Sequence, residues 1–257
     1  MNKPAALITG AASGIGLTLS RELARQGYTV IVSDMNLQAA EAAVAELHAE
    51  GLAALPLSLD VCKDEDIEGA VALIQNQSLA LHILVNNAGL QYVSKLEDFP
   101  VDRWKLINNV LLVAPAMLTR AFLPFMRAEN FGRIINIGSI HSLVASAHKS
   151  AYVAAKHGLL GFSKVVALET AELDITINTI CPSYVKTPLV EMQIANQARE
   201  NNISEDEVIN TIMLEPMPKK SFINMDEIIG AMNYLISPAA RNMTGHELVL
   251  DGGWTVR

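Results

Sequence analysis

Tyr152 and Lys156 stand four residues apart within Ser150-Ala-Tyr-Val-Ala-Ala-Lys-His157, and Ser139 lies thirteen residues before the tyrosine. On a helix, positions i and i+4 share a face one turn apart, so the lysine ammonium can reach the surroundings of the phenol. A free tyrosine has a pKa of about 10 and is a poor base at neutral pH. A nearby positive charge favours the phenolate, and Lys156 is expected to lower the Tyr152 pKa to where it can take a proton from an alcohol or return one to a carbonyl. Ser139 would hold the same oxygen from the other side as a neutral hydrogen-bond partner. Taken alone, Tyr-x-x-x-Lys reads as an amphipathic helix with a half-buried tyrosine and a snorkelling lysine. The chemical reading depends on the elements around it.

Near the N-terminus, the apolar run Ala5–Thr9 leads into Gly10-Ala-Ala-Ser-Gly14-Ile-Gly16 and then a helical pattern to Gln26. Strand, glycine turn and helix in that order bring backbone N–H groups and a helix N-terminus to a pyrophosphate, with Gly10, Ser13, Gly14, Ile15 and Gly16 as its cradle. Thr29–Ser33 reads as the next strand, and Asp34 stands at its end. A carboxylate there can accept hydrogen bonds from the adenosine ribose hydroxyls and would repel a 2′-phosphate, so the cofactor expected is NAD rather than NADP. Ala12, Ser13 and Met35 supply no cation for such a phosphate. An ordinary helix N-cap is the competing role for Asp34.

With Asn86-Asn-Ala-Gly89 after the apolar strand Ile83–Val85, and with Ser139, Tyr152 and Lys156 in register, the whole chain resembles the short-chain dehydrogenase/reductase family. The resemblance implies Ser139, Tyr152 and Lys156 as catalytic residues. It also implies cofactor contacts from Asn87, Ala88 and Gly89, from the adenine-side pair Asp60-Val61, from Tyr152 and Lys156, and from Pro182, Val185 and Thr187 at the nicotinamide end. Within the family, the likeness is closer to the bacterial D-3-hydroxybutyrate dehydrogenases. It is carried by Gly89-Leu-Gln91, Glu97–Pro100, Phe131–Ile137, His141, Leu143–Ser146, Lys149–Gly158, Thr187–Glu191, Gln193 and Asp251–Thr255. The activity so implied is reversible hydride transfer between C3 of (R)-3-hydroxybutyrate and NAD.

The chain has 257 residues, 51% hydrophobic and 18% charged, which suits one α/β domain. Apolar runs near 5–9, 29–33, 54–58, 83–86, 132–138, 176–181 and 247–251 alternate with helical patterns, which predicts a Rossmann-type, doubly wound parallel sheet of about seven strands. In such sheets, ligands gather at the carboxyl ends of the strands. Gly10, Asp34, Asp60, Asn87, Ser139 and Pro182 all follow strands. The segment 187–222 breaks the alternation with helical stretches at 191–201 and 205–214, and the resemblance implies a substrate-covering lid there. Pro115 and Pro124 are expected to interrupt the longest apolar helices, so no membrane span is expected. The first strand starts too early to leave room for a leader, and the expected compartment is the cytoplasm. Cys62 and Cys181 are too few for a metal site or a disulfide framework. No nucleic-acid partner is expected.

A formal charge of −8 repels an anionic substrate at long range, so a carboxylate site must be built locally. His141 and Lys149 issue from the catalytic edge, with Lys149 as the fixed positive charge. The resemblance implies that Gln91, His141, Lys149 and Gln193 hold the carboxylate, and that Ser139, Tyr152, Tyr184 and Trp254 complete the substrate pocket. There are two departures from the family pattern. Leu111 occupies the place of an asparagine that anchors a proton relay, with Asn108 and Asn109 nearby, and Ser183-Tyr184 replaces the Gly-Trp of the close relatives. The rivals are a reductase of bulkier thioesters or alcohols and a nucleotide-binding sensor without turnover. The resemblance also implies a homotetramer, built on the helices around 111–126 and 151–168 and on the C-terminal residues 254–257.

Overall fold

The computed structural model describes residues 3–256, apart from the side chains of residues 188, 189 and 200. Seven strands form one sheet: β1 (Lys3–Thr9), β2 (Thr29–Asp34), β3 (Ala54–Ser58), β4 (Leu79–Asn86), β5 (Phe131–Ile137), β6 (Asp174–Pro182) and β7 (Glu247–Leu250). Their order is β3-β2-β1-β4-β5-β6-β7, and every neighbouring pair is parallel. The order reverses between β1 and β4, and a crevice for a ligand opens at that switch point.

Strands buried on both faces need helices on both. On one side lie α1 (Gly14–Arg25), α2 (Leu37–Ala49) and α9 (Met225–Ile236), with Leu19, Leu23, Val44, Leu47 and Met232 packed on Ile8, Val30 and Val85. On the other lie α3 (Asp64–Asn76), α4 (Val101–Asn108), α5 (Ala114–Glu129) and α6 (Ser150–Glu169). Here Ile74, Ile107, Leu118 and Phe122 pack on Leu7, Leu84 and Ile134. Each such side chain contributes about 1.5–3 kcal/mol through burial.

The expected break at Pro115 and Pro124 does not occur. A π-helical turn, Asn109–Val113, joins α4 to α5 without interruption. Pro115 lies two residues after the π-helical turn, inside the continuous helix, and α5 runs on through Pro124. The resulting helix, Val101–Glu129, is long and apolar enough by length and composition to cross a membrane. Its inner face belongs to the sheet core through Ile107, Leu111, Leu118, Phe122 and Met126.

Segment 187–222 forms α7 (Pro188–Asn201), α8 (Glu205–Val208) and a π-helical turn, Ile209–Met213. The first helix starts three residues earlier than its composition suggests. Thr187 caps it, its Oγ accepting from Val190 N at 3.3 Å, and proline follows at the first helical position. A capping box between Ser204 and Glu207 starts the second. Val190, Ile194, Val208 and Met213 form a small core of their own. The base of the segment is pinned where Val185 bridges Ile223 and Ile223 N donates to Tyr184 O at 2.9 Å.

Candidate active site

The cleft at the switch point has a volume of about 320 Å³ and begins at the glycine turn. Gly10 has φ +59°, and a Cβ there would lie 2.9 Å from the Ala88 Cα. A Cβ on Gly16 would lie 2.6 Å from both the Asn87 amide nitrogen and the Gly10 carbonyl oxygen. Only glycine lets the turn close onto the loop after β4. Thr9 locks the two together: its hydroxyl accepts from Asn87 N and Ala88 N, both at 3.0 Å. Asn87 Nδ2 donates to the carbonyls of Thr9 at 2.8 Å and Gly10 at 3.0 Å. The helix that follows starts at Gly14, and the side chain of its N-cap, Ser13, makes no cap bond, so its first N–H groups face the cleft.

Asp34 lines the same cleft. Its carboxylate accepts from Asn36 N at 3.0 Å and Ala12 N at 3.4 Å. It is not the cap of α2: Asn36 is, accepting from Ala39 N. The cleft walls also include Ser13, Ile15, Asn87, Gly89, Pro182, Val185 and Thr187. Four expected cofactor residues do not line it. Gly16 is turned into the packing against Asn87, and Ala88 lies against Gly10. Val61 is in the core. Asp60 sits at the end of β3, where its N–H donates to Asp66 and its carboxylate accepts from Cys62 N at 3.1 Å. Leu90, Leu111, Ile137, Gly138, Ser183 and Val190 complete the walls. Of these, Leu111 and Ser183 are the two positions that depart from the family pattern, whereas Leu90, Ile137, Gly138 and Val190 carried no signal of a site role in the sequence.

Ser139, Tyr152 and Lys156 meet at the inner end of the cleft. Ser139 follows β5 and opens a short 3-10 turn in a capping box, its N–H donating to Ser142 Oγ and its own Oγ accepting from His141 N, both at 3.2 Å. The first turn of α6 presents Tyr152, and Lys156 is one turn on. Burial pushes the Tyr152 phenol up, and a hydrogen bond with Ser139 offsets only part of that. The expected net lowering by Lys156 is therefore not found. The ammonium lies 5.8 Å from the centre of the tyrosine ring and donates to the Ile137 carbonyl at 2.6 Å, so the end of β5 holds it. Burial brings Lys156 itself down to about 8.

Leu111 is buried in the cleft wall on the π-helical turn, its Cδ2 3.5 Å from where a Cβ on Gly89 would lie. Neither nearby asparagine replaces the polar group. Asn108 Nδ2 donates to the Trp104 carbonyl at 2.9 Å, and Asn109 is exposed.

Gln91, Lys149, Tyr184, Gln193 and Trp254 line a second, adjoining cavity of about 610 Å³. Lys149 is buried with its ammonium 3.2 Å from His141 Nε2 and 5.8 Å from the centre of the Tyr184 ring. His141 lines neither cavity but stands between them, its ring 6.1 Å from Tyr152 and 5.8 Å from Trp254, both edge-on. Burial and the adjacent Lys149 bring its pKa down to about 4, so it is neutral and can accept from the ammonium. Gln193 Nε2 reaches Gln91 Oε1 at 3.4 Å, while Gln91 Nε2 is buried without a partner. A buried cation and a buried unpaired donor on one wall call for an anion with hydrogen-bond acceptors.

Residues 4–198 match the family model described as short chain dehydrogenase. The chain is 44% identical to the D-beta-hydroxybutyrate dehydrogenase of Rhizobium meliloti, covering 98% of both chains, and 42% identical to that of Cupriavidus necator, covering 100% of both. Among solved structures, it superposes on a single-residue variant of actinorhodin polyketide ketoreductase with NADPH at a TM-score of 0.93 and 30% identity, over 98% of this chain and 97% of that one. With its parallel seven-stranded sheet, glycine turn and Ser139, Tyr152 and Lys156 at one cleft, the chain belongs to the short-chain dehydrogenase family of nicotinamide-dependent oxidoreductases.

Proposed function

We propose that this oxidoreductase interconverts (R)-3-hydroxybutyrate and acetoacetate with NAD. The observation that carries the proposal is the buried Lys149, whose ammonium meets the neutral His141, beside the catalytic tyrosine. A buried ammonium whose partner is a neutral imidazole has charge left uncompensated, which an anionic substrate group would meet. Gln91 and Gln193 add donors for the carboxylate, and Tyr184 and Trp254 wall the small apolar end. The likeness to two D-beta-hydroxybutyrate dehydrogenases supports the same substrate.

When bound, the nicotinamide supplies the carbon that accepts or returns the hydride. The Gly10–Gly16 turn and the start of α1 would hold the pyrophosphate, and Asp34 the adenosine ribose. During oxidation the Tyr152 oxygen takes the hydroxyl proton, and during reduction it returns the proton to the same oxygen. Ser139 steadies the charge developing there. The Lys156 ammonium supports the anionic forms below its pKa of about 8. NAD preference rests on Asp34, since a 2′-phosphate would meet its carboxylate. The NADPH in the ketoreductase belongs to a different chain at 30% identity. Exposed Val113, Val165 and Leu168 on the helix faces away from the sheet support assembly into a tetramer through those helices; Arg257, expected to take part, lies outside the described residues.

The test is NADH formation from 3-hydroxybutyrate and from its methyl ester, with NADP run in parallel. The free acid with NAD should be the best pair. An ester oxidised as fast as the acid would remove the carboxylate site from the reading, and equal use of NADP would remove the role of Asp34.

A further inference from the structure

The second cavity is far larger than a four-carbon acid needs: about 610 Å³ lies within the range of sites for drug-sized ligands. Its outer wall has a particular chemistry. Gln193, Asn196, Gln197 and Asn201 recur at helical spacing on one face of α7, and all four line the chamber. Each amide carries two donors and an acceptor oxygen without charge. Asn201 Nδ2 donates to the Gln197 carbonyl at 2.9 Å, and Asn196 Oδ1 accepts from Arg199 Nη2, which leaves the Asn196 nitrogen as a donor. Across the chamber, Gln91 Nε2 is buried without a partner.

Resting on the carboxylate reading above, we propose that this chamber is a subsite for an uncharged hydroxylated chain, so that the substrates of this enzyme extend to 3-hydroxy acids bearing further hydroxyl groups. Tyr184 and Trp254 line the chamber, and Trp254 stands edge-on to His141, whose ring meets Tyr152 in the same way, so one side chain separates the chamber from the reacting end. A carbon chain leaving the reacting end would lay its C–H edges on Met192, Ile212 and Pro216 and its hydroxyls on the amide face. The overall negative charge of the protein is no obstacle to a neutral chain. An alkyl chain of the same length would cover amides and leave their hydrogen bonds unmade, which is the way polar pockets reject apolar analogues.

The test compares two six-carbon acids of the same configuration at C3, 3-hydroxyhexanoate and 3,4,5,6-tetrahydroxyhexanoate, with 3-hydroxybutyrate as reference. The unaltered enzyme should favour the hydroxylated acid over the alkyl acid by about tenfold in kcat/KM, equivalent to about 1.4 kcal/mol. The Asn196→Leu, Gln197→Leu double variant keeps side-chain size and should abolish or reverse that ratio. A wild-type ratio at or below one would overturn the subsite. So would a double variant that slows all three acids alike, which would mean that the amide face serves closure of the segment and not recognition. If 3-hydroxybutyrate is not oxidised at all, the carboxylate reading has failed. Calorimetric titration of both six-carbon acids into the NADH complex then still decides the subsite by the same ratio.

Discussion

The two halves of the site are held in different ways. The cofactor half is built from strand ends: Thr9, Gly10, Asn87 and Ser139 sit in backbone-level hydrogen bonds of about 3 Å, between two cores that together cover both faces of the sheet. The outer half hangs on a segment with its own small core, pinned at its base by Val185 and Ile223, and across the chamber one 3.4 Å contact joins Gln193 to Gln91. Chemistry that every substrate shares is placed where the scaffold is over-determined. Recognition that distinguishes substrates is placed where a few side chains can change without disturbing the sheet.

Breaking the rigid half should cost most. Tyr152→Phe removes the exchangeable proton and leaves the ring in place, so turnover should fall by about 10²–10⁴-fold while NADH still binds, measured by initial rates and by fluorescence titration. Appreciable turnover would mean that another group exchanges the proton.

The outer half comes next. Lys149→Met keeps an apolar stem but removes the charge, and loss of one partner of a desolvated pair costs about 2–5 kcal/mol. The expected fall in kcat/KM for 3-hydroxybutyrate is about thirtyfold or more. Its neighbour His141 gives a pH signature. With its folded pKa at about 4, below its ordinary 6.5, the imidazole stabilises the fold fully above 6.5 and progressively less as the pH falls towards 4. Thermal melts between pH 7 and 4.5 should show that loss, and His141→Gln should flatten this part of the profile.

Lys156 sharpens the comparison, because a rigid site can carry an unfavourable group. Its folded pKa of about 8 lies below its ordinary 10.5, so below pH 8 the fold bears a buried charge, and between 8 and 10.5 that cost disappears as the folded state sheds its proton first. Lys156→Met should therefore abolish turnover yet raise the melting temperature at pH 7 by about 3–10 °C, on the order of 1–3 kcal/mol. The gain should shrink by pH 10. An unchanged or lower melting temperature at pH 7 would show that the bond to Ile137 outweighs the burial of the charge.

The smallest effect is expected at Leu111. Leu111→Asn puts a polar side chain on the π-helical turn beside the cleft and should alter the rate or its pH dependence by a few-fold, whereas Asn108→Ala should be neutral, since that amide serves the Trp104 carbonyl. A rate that drops with Asn108→Ala would give Asn108 a part in proton transfer that its hydrogen bond does not suggest.

Much of this was legible before any coordinates. Alternating apolar runs and helical patterns fix a doubly wound sheet, because a parallel strand buried on both faces leaves few other solutions. Gly10 and Gly16 are legible as well, as a glycine turn between strand and helix, although their close approach to Ala88 and Asn87 is decided by the fold. The alternation therefore determined the fold, the glycine turn the cleft, and the family resemblance the group of Ser139, Tyr152 and Lys156. Tertiary structure decided what depends on distances across the chain. It placed Lys156 on the Ile137 carbonyl, so that burial governs the Tyr152 phenol. It carried the helix through Pro124, engaged Asp60 with Asp66 and Cys62, and packed Val61 into the core. It also set the amides of α7 around a chamber next to Lys149. Spacing along one element constrains which residues share a face, but the electrostatics of a buried group depend on what other elements bring against it, and no local pattern encodes that.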